Sequence, residues 1–291
     1  MKTGVSVALL IVLLAPAAFA ADGPPSNTFS AASLYQLPAD LSSSGELAVT
    51  RSHLHEGGKL FASRKLLANW GLSLGMTHYD FKDRQNKPWE DIYQVGANVS
   101  LIRPLAQGWS LLVIPGITAA GEAEANASDC LSYTLISAVN WQSSPSLRLG
   151  LGTAIFDKLG DFTVFPFIAF DWKPAPGWRL ANPQRSGVTG PAGLELSWQA
   201  NHSWTLGSGG AWQSNRFRLD DKGATPGGIG EETAVPVWVR LTRNFARGKL
   251  TLYAGATLAG TLSREDRHGS EVDDDEYDET PFLALYFSGG F

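Results

Sequence analysis

The chain has 291 residues, a formal net charge of −5, one cysteine, ten tryptophans and fourteen phenylalanines. A single cysteine excludes an intramolecular disulfide, and a mildly acidic chain without a basic stripe offers nothing to nucleic acid. Beyond residue 20 no apolar run approaches the roughly 20 residues that a spanning helix needs.

In chain order, Lys2, the apolar run over residues 5–14 and the small-x-small site Ala18-Phe19-Ala20 before Ala21 read as a secretory signal peptide over residues 1–20. The residue directly after that site is Ala21 and not cysteine, so no lipid anchor is expected there. Residues 21–64 form an N-terminal segment, read as a periplasmic leader or as chain packed into a barrel mouth. Residues 21–44 are rich in Pro, Ser and Ala with weak periodicity, and residues 45–55 hold one short strand.

From residue 65 to 291 the pattern becomes regular. Trp70, Leu72, Leu74 and Met76 share one face, opposite Asn69, Gly71, Ser73, Gly75 and Thr77. Leu250, Leu252, Ala254, Ala256, Leu258 and Leu262 oppose Lys249, Thr251, Tyr253, Thr257 and Thr261. An apolar face against a small or hydroxylated face, over about 9–11 residues, is the period of a tilted membrane strand. Tight connections rich in Gly, Pro, Asn and Ser, at 106–108, 143–146, 174–177, 200–202 and 247–248, alternate with other links. Those at 82–90, 121–129, 219–232 and 263–280 are longer and more charged, and those at 157–161 and 182–187 are shorter. This predicts an all-β, transmembrane, antiparallel up-and-down barrel of about twelve strands, with ten and fourteen as the neighbouring even counts. Residues 178–181 make the weakest strand, because Pro183 and Pro191 lie close by.

Six tryptophans, Trp109, Trp141, Trp172, Trp178, Trp198 and Trp204, sit within a few residues of the tight turns, where an interfacial girdle is expected. Trp89 falls among the opposite loops. The last strand alternates as well: Leu283, Leu285, Phe287 and Phe291 point outward, and the strand closes an even barrel against the strand near Trp70. The ending on Phe291 resembles the C-terminal signal that the outer-membrane barrel assembly machinery reads.

Together with Phe165-Pro166-Phe167 and Asp171-Trp172-Lys173-Pro174, the terminal strand makes the chain resemble uncharacterised, porin-like outer-membrane β-barrel families of Gram-negative bacteria. The resemblance implies an outer-membrane location among lipids and lipopolysaccharide, and no assigned activity. Barrels of this size include passive channels, selective channels and lipid-modifying enzymes, so function must be argued from the site.

The facing pattern sends four charged residues inward: Arg148, Asp171, Glu195 and Arg240. An arginine on the lipid face at mid-membrane costs roughly 2–4 kcal/mol, which favours the inward assignment. Such charges either pair and fill the lumen or form a constriction that selects solutes by charge. The acidic run 265–279 reads as a solvated loop, with Asp273, Asp274, Asp275 and Glu276 as hard-oxygen candidates for weak Ca²⁺ or Mg²⁺ binding near lipopolysaccharide. No other cofactor is expected. His78, in phase with the lipid-facing set, is the candidate base for a lipid hydrolase, but no Ser nucleophile lies beside it. His53 and His55 share one face without an identifiable third metal ligand. The leading expectation is a passive, porin-like channel or a structural barrel with an occluded lumen. A lipid-modifying hydrolase and an adhesion surface built from the loops are the alternatives.

Overall fold

The computed structural model describes residues 27–84, 87–183, 188–190, 192–223 and 225–291. The signal peptide expected over residues 1–20, Pro191 and most of the link at 182–187 lie outside them. None of the described helices is long and apolar enough to cross a membrane; the chain folds as one antiparallel sheet closed on itself.

The strands, in order, are β1 (Asn27–Asp40), β2 (Glu46–Ala62), β3 (Leu67–Lys82), β4 (Asp91–Pro104), β5 (Trp109–Glu122), β6 (Leu131–Ser144), β7 (Leu147–Lys158) and β8 (Asp161–Trp172). They continue with β9 (Trp178–Ala181), β10 (Ala192–Gln199), β11 (Trp204–Arg218), β12 (Ile229–Phe245), β13 (Gly248–Glu265), β14 (Glu271–Tyr277) and β15 (Thr280–Gly290). Each of β1 to β13 pairs with its neighbour in sequence, and β15 lies between β13 and β1. β14 and β15 are two pieces of one return strand along β13, which gives a closed barrel of fourteen positions.

Of the three even counts, fourteen is therefore the one observed. The two extra strands come from the N-terminal segment. β1 and β2 form a long hairpin in the wall, where a leader or plug was expected before residue 65. The run Ser30-Ala31-Ala32-Ser33 hides the period, because small residues on both faces give little contrast. The terminal strand closes on β1 (Thr28 opposite Gly290, Gln36 opposite Phe282) and not on the strand near Trp70.

A bulge makes a second correction. Thr233 pairs with Thr261 and Val235 with Leu258, so β13 carries an extra residue near Ala259, which adopts a positive φ of 49°. A bulge flips the faces beyond it. Leu262, assigned to the outer face with Leu258, is instead 3% exposed inside the barrel.

The acidic run is a third. Residues expected as a loop at 263–280 form a β-hairpin, with β14 paired to the end of β13 and the turn closed by Asp266 N–H to Ser270 O at 2.8 Å. Amides of Ser270 and His268 donate to the Asp266 carboxylate and hold it below the usual carboxylate range.

The outer face is apolar. Leu72, Leu74, Val95, Leu151, Ile168, Val239, Leu252 and Leu283 are all exposed, and the six turn-side tryptophans lie on the same surface. Trp109 and Trp141 face each other in register and stack at 5.8 Å, and Trp178 and Trp198 do so at 6.0 Å. If that face meets lipid, Leu252→Arg should lower stability in phospholipid vesicles by about 2–4 kcal/mol, with urea midpoints read by tryptophan fluorescence. A variant as stable as the parent protein would show that this face is solvated.

Candidate functional site

The lumen is divided along its length. At the long-loop end the barrel is pinched: Arg218 of β11 pairs with Gly121 of β5, parallel and across the ring, bypassing β6 to β10. No side chain fits at residue 121, because a Cβ there would lie 2.8 Å from Cys130 Sγ and 2.9 Å from the Arg218 carbonyl. Loop contacts reinforce the crossing, with Arg218 Nε donating to Asp129 O at 3.0 Å and Asp220 N–H to Glu122 at 2.9 Å. Burial pushes the Cys130 thiol pKa up.

Below this crossing the lumen is dry. Leu47, Val49, Tyr79, Phe81, Trp89, Phe217 and Leu262 form one buried cluster. Trp89 meets Phe217 edge-on at 5.1 Å and Tyr79 at 5.8 Å. Trp89 lies in the loop between β3 and β4, as expected, and its side chain turns inward as part of this cluster. At its centre is Glu232, with no solvent exposure. Its carboxylate accepts from the Arg51 guanidinium, from Tyr79 Oη at 2.7 Å and from Tyr277 Oη at 3.1 Å. A buried carboxylate persists only when paired and hydrogen-bonded in this way. Four strands, β2, β3, β12 and β14, each supply one of these groups.

Below the middle of the barrel lies a second, smaller cluster, in which Trp238, Tyr253, Phe282 and Leu34 pack with Val188 from the link between β9 and β10. Beneath it opens a polar cavity of about 770 Å³. Its rim consists of tight-turn residues, including Ser146, Lys173, Pro174, Gly177 and Asn244, so it faces the short-turn end. Arg240 and Glu195 make a two-pronged pair on its wall, at 2.9 and 2.6 Å, and Glu195 also accepts from Trp238 Nε1 at 3.1 Å. Arg179 grips Asp171 with two bonds, at 2.8 and 3.1 Å. Lys249 sits over the Tyr286 ring, 5.8 Å from its centroid.

Of the four inward charges expected from sequence, Glu195 and Arg240 are brought together. Asp171 is taken by Arg179, which the sequence reading missed. Arg179 lies in the four-residue β9, too short for periodicity to show its face. Arg148 stands opposite Asp171 in the β7–β8 register. The four acidic candidates divide by strand alternation. Asp275 accepts from Ser42 and Arg84, at 2.7 and 2.6 Å, and Asp273 from Arg264 at 3.1 Å. Asp274 and Glu276 point to the opposite face, and among the described residues no cluster of three or more metal-ligating side chains forms. His78 is an exposed rim residue bonded to Asp91 at 2.7 Å. His53 and His55 share the face of Arg51 on β2. Phe291 joins its backbone to Asn27 on both sides, with N–O distances of 3.2 and 3.1 Å.

Glu232→Ala would strand the Arg51 guanidinium in the interior, and should cost about 3–5 kcal/mol. Tyr277→Phe removes one bond to the same carboxylate and should cost about 1–3 kcal/mol. Urea unfolding ranks the two. Equal and small losses would mean that water reaches the carboxylate.

Three solved structures are similar to the chain at low scores. The NanC porin is 9% identical with a TM-score of 0.40, over 90% of this chain and 100% of that one. The toluene transporter TodX of Pseudomonas putida is 10% identical with a TM-score of 0.42, over 92% and 91%. LpxR from Salmonella typhimurium is 7% identical with a TM-score of 0.38, over 91% and 100%. No curated protein matches the chain. Residues 62–216, more than half of the sequence, match the family described as a domain of unknown function, DUF6268, and the chain belongs to that family.

Proposed function

We propose that this protein is an outer-membrane channel for small hydrophilic solutes, closed at rest, with its short-turn end toward the periplasm. The observation that carries this reading is the division of the lumen. A polar cavity of ligand size opens at one end, and a dry plug of side chains from the wall itself closes the other. Small-molecule sites occupy roughly 300–1,000 Å³, and this cavity lies within that range.

The state of the plug favours a closure over a permanent filling. Three buried donors, Arg51 Nε, Trp89 Nε1 and Arg264 Nε, have no hydrogen-bond partner among the described residues. Each unsatisfied donor costs about 1–3 kcal/mol. A lumen filled only for stability would be better served by apolar side chains. Donors that find partners when the plug rearranges reduce the free-energy difference between closed and open states. In this reading the outward Leu283, Leu285 and Phe287 of the terminal strand face lipid and are presented to the assembly machinery. The exposed acidic side chains of β14 face lipopolysaccharide.

Planar-bilayer recording tests the proposal. The wild-type protein should be silent at low voltage, with rare discrete openings. Trp89→Ala combined with Phe217→Ala should raise the open fraction by about tenfold or more, as expected for loss of roughly 1.4 kcal/mol or more from the closed state. Heat-modifiable migration in gels reports that the variant has folded. A wild type that conducts steadily, or a folded double variant as silent as its parent, overturns the closed-channel reading.

A further inference from the structure

On the outer wall near the short-turn end, residues of β9 to β13 and β15 line an apolar groove of about 580 Å³. Strand register builds it row by row. Leu196, Ser208, Val239, Ala254 and Leu283 stand side by side at one height on five neighbouring strands. Ser208 and Ala254 are the short side chains of that row, so the wall dips at these two positions between taller neighbours. One row nearer the turns, Trp198, Leu206, Leu241 and Leu252 continue the groove in register, with Trp178 beside Trp198.

The next row brings a cation to the foot of the groove. On β12 that position is Arg243, on the same face as Val239 and Leu241 and about 7 Å along the strand from Leu241. Arg243 stands opposite Trp204 of β11, and its guanidinium carbon lies over the indole ring, 4.8 Å from the centroid. The stack occupies the flat face of the guanidinium and fixes its position, while the N–H donors lie in the plane and radiate from the edge. A phosphate takes two such donors at once. The height is that of the outward tryptophans beside the tight turns, and indole rings favour the headgroup level of a bilayer.

We infer that this groove binds one phospholipid molecule, with an acyl chain laid across Ser208 and Ala254 and the headgroup phosphate on Arg243. Lipid tails are as apolar as leucine, so the groove by itself prefers no lipid class. It holds a chain by shape, through contacts along its length, and the cation at its foot selects the headgroup. The site rests on the outer face meeting lipid, and it is independent of whether the lumen conducts.

Native mass spectrometry of the full chain, folded in detergent, counts the lipids that stay bound. The probes are dioleoylphosphatidylglycerol and dioleoylglycerol, which share their acyl chains and differ in the phosphate-bearing headgroup. Phosphatidylglycerol should be retained as one saturable molecule. Dioleoylglycerol should be held at least about tenfold more weakly, the factor that one charge-assisted contact supplies. Arg243→Gln should weaken phosphatidylglycerol by about tenfold and leave dioleoylglycerol unchanged, and Arg243→Lys should restore part of the loss. Ala254→Trp, which fills the dip, should remove the retained molecule while heat-modifiable migration reports a folded barrel. Ser208→Leu makes the same test if Ala254→Trp does not fold. Equal retention of the two probes, or unchanged affinity in folded Arg243→Gln or Ala254→Trp protein, overturns the inference. A lipid-free dimer that Ala254→Trp dissociates also overturns it, and assigns the groove to a second copy of the chain. A solvated outer face, shown by an unaffected Leu252→Arg variant, removes the membrane reading and the site with it. A barrel destabilised by that arginine but retaining no phosphatidylglycerol loses the site alone.

Discussion

The constraint on which the rest of the structure depends is the burial of Glu232. A carboxylate without solvent exposure is tolerable only if its charge and its lone pairs are met, and here they are met by Arg51, Tyr79 and Tyr277. These groups come from strands on both sides of the seam where the barrel closes. Bringing them to one point fixes the heights of β2, β3, β12 and β14 against one another. The bulge at Ala259 belongs to the same arrangement. By shifting the phase of β13 it turns Leu262 inward and places residue 260 against the Tyr277 ring, where even a methyl group would approach to 2.1 Å. Glycine at 260 is what lets the ring reach its carboxylate partner.

The pinch between β5 and β11 determines why one end of the lumen is filled and the other open. A fourteen-position ring encloses more space than wall side chains can fill. Joining Arg218 to Gly121 removes β6 to β10 from the perimeter at the long-loop end, and the remaining strands close over Trp89, Phe217 and Tyr79. At the short-turn end the ring keeps its full perimeter, and the interior stays open and polar. The short β9 and β10 belong to the same economy of length. β8 pairs with β9 only through Asp171 and Trp172, and the link beyond β9 puts Val188 into the barrel interior.

Much of this was legible in the sequence because two-residue periodicity reports facing directly. The outer Leu and Val rows, the outward tryptophans beside the tight turns, the weakness of residues 178–181 and the inward direction of Glu195 and Arg240 all follow from alternation and turn chemistry. Alternation fails where its contrast fails. The Ser and Ala of β1 are small on both faces, and Arg179 lies in a strand too short to show a period. It fails also where phase is broken, as at Ala259. Composition misled in one place: nine acidic residues between 265 and 279 look like a solvated loop, yet Arg264 across the hairpin and Arg84 from the loop after β3 pair with that segment and let it continue the wall. Pairing across the ring, which makes Glu232 a partner of Arg51, 181 residues away, has no local signature.

The two halves of the lumen are joined mechanically through one pair of strands. β12 carries Glu232 in the plug and Arg240 in the cavity on the same face, eight residues apart, or roughly 27 Å at the rise of a strand. β13 carries Lys249, Thr251 and Tyr253 in the cavity and, beyond its bulge, Leu262 and Arg264 in the plug. A bulge is a local break in the ladder, and it is where a strand pair bends with least loss of hydrogen bonding. Arg240 and Lys249 therefore stand on the same two strands that position the buried carboxylate, with the bulge between them. Coupling between cavity and plug requires no separate moving domain. It requires only that the β12–β13 pair have two arrangements above Ala259, one with the Glu232 network formed and one with it released.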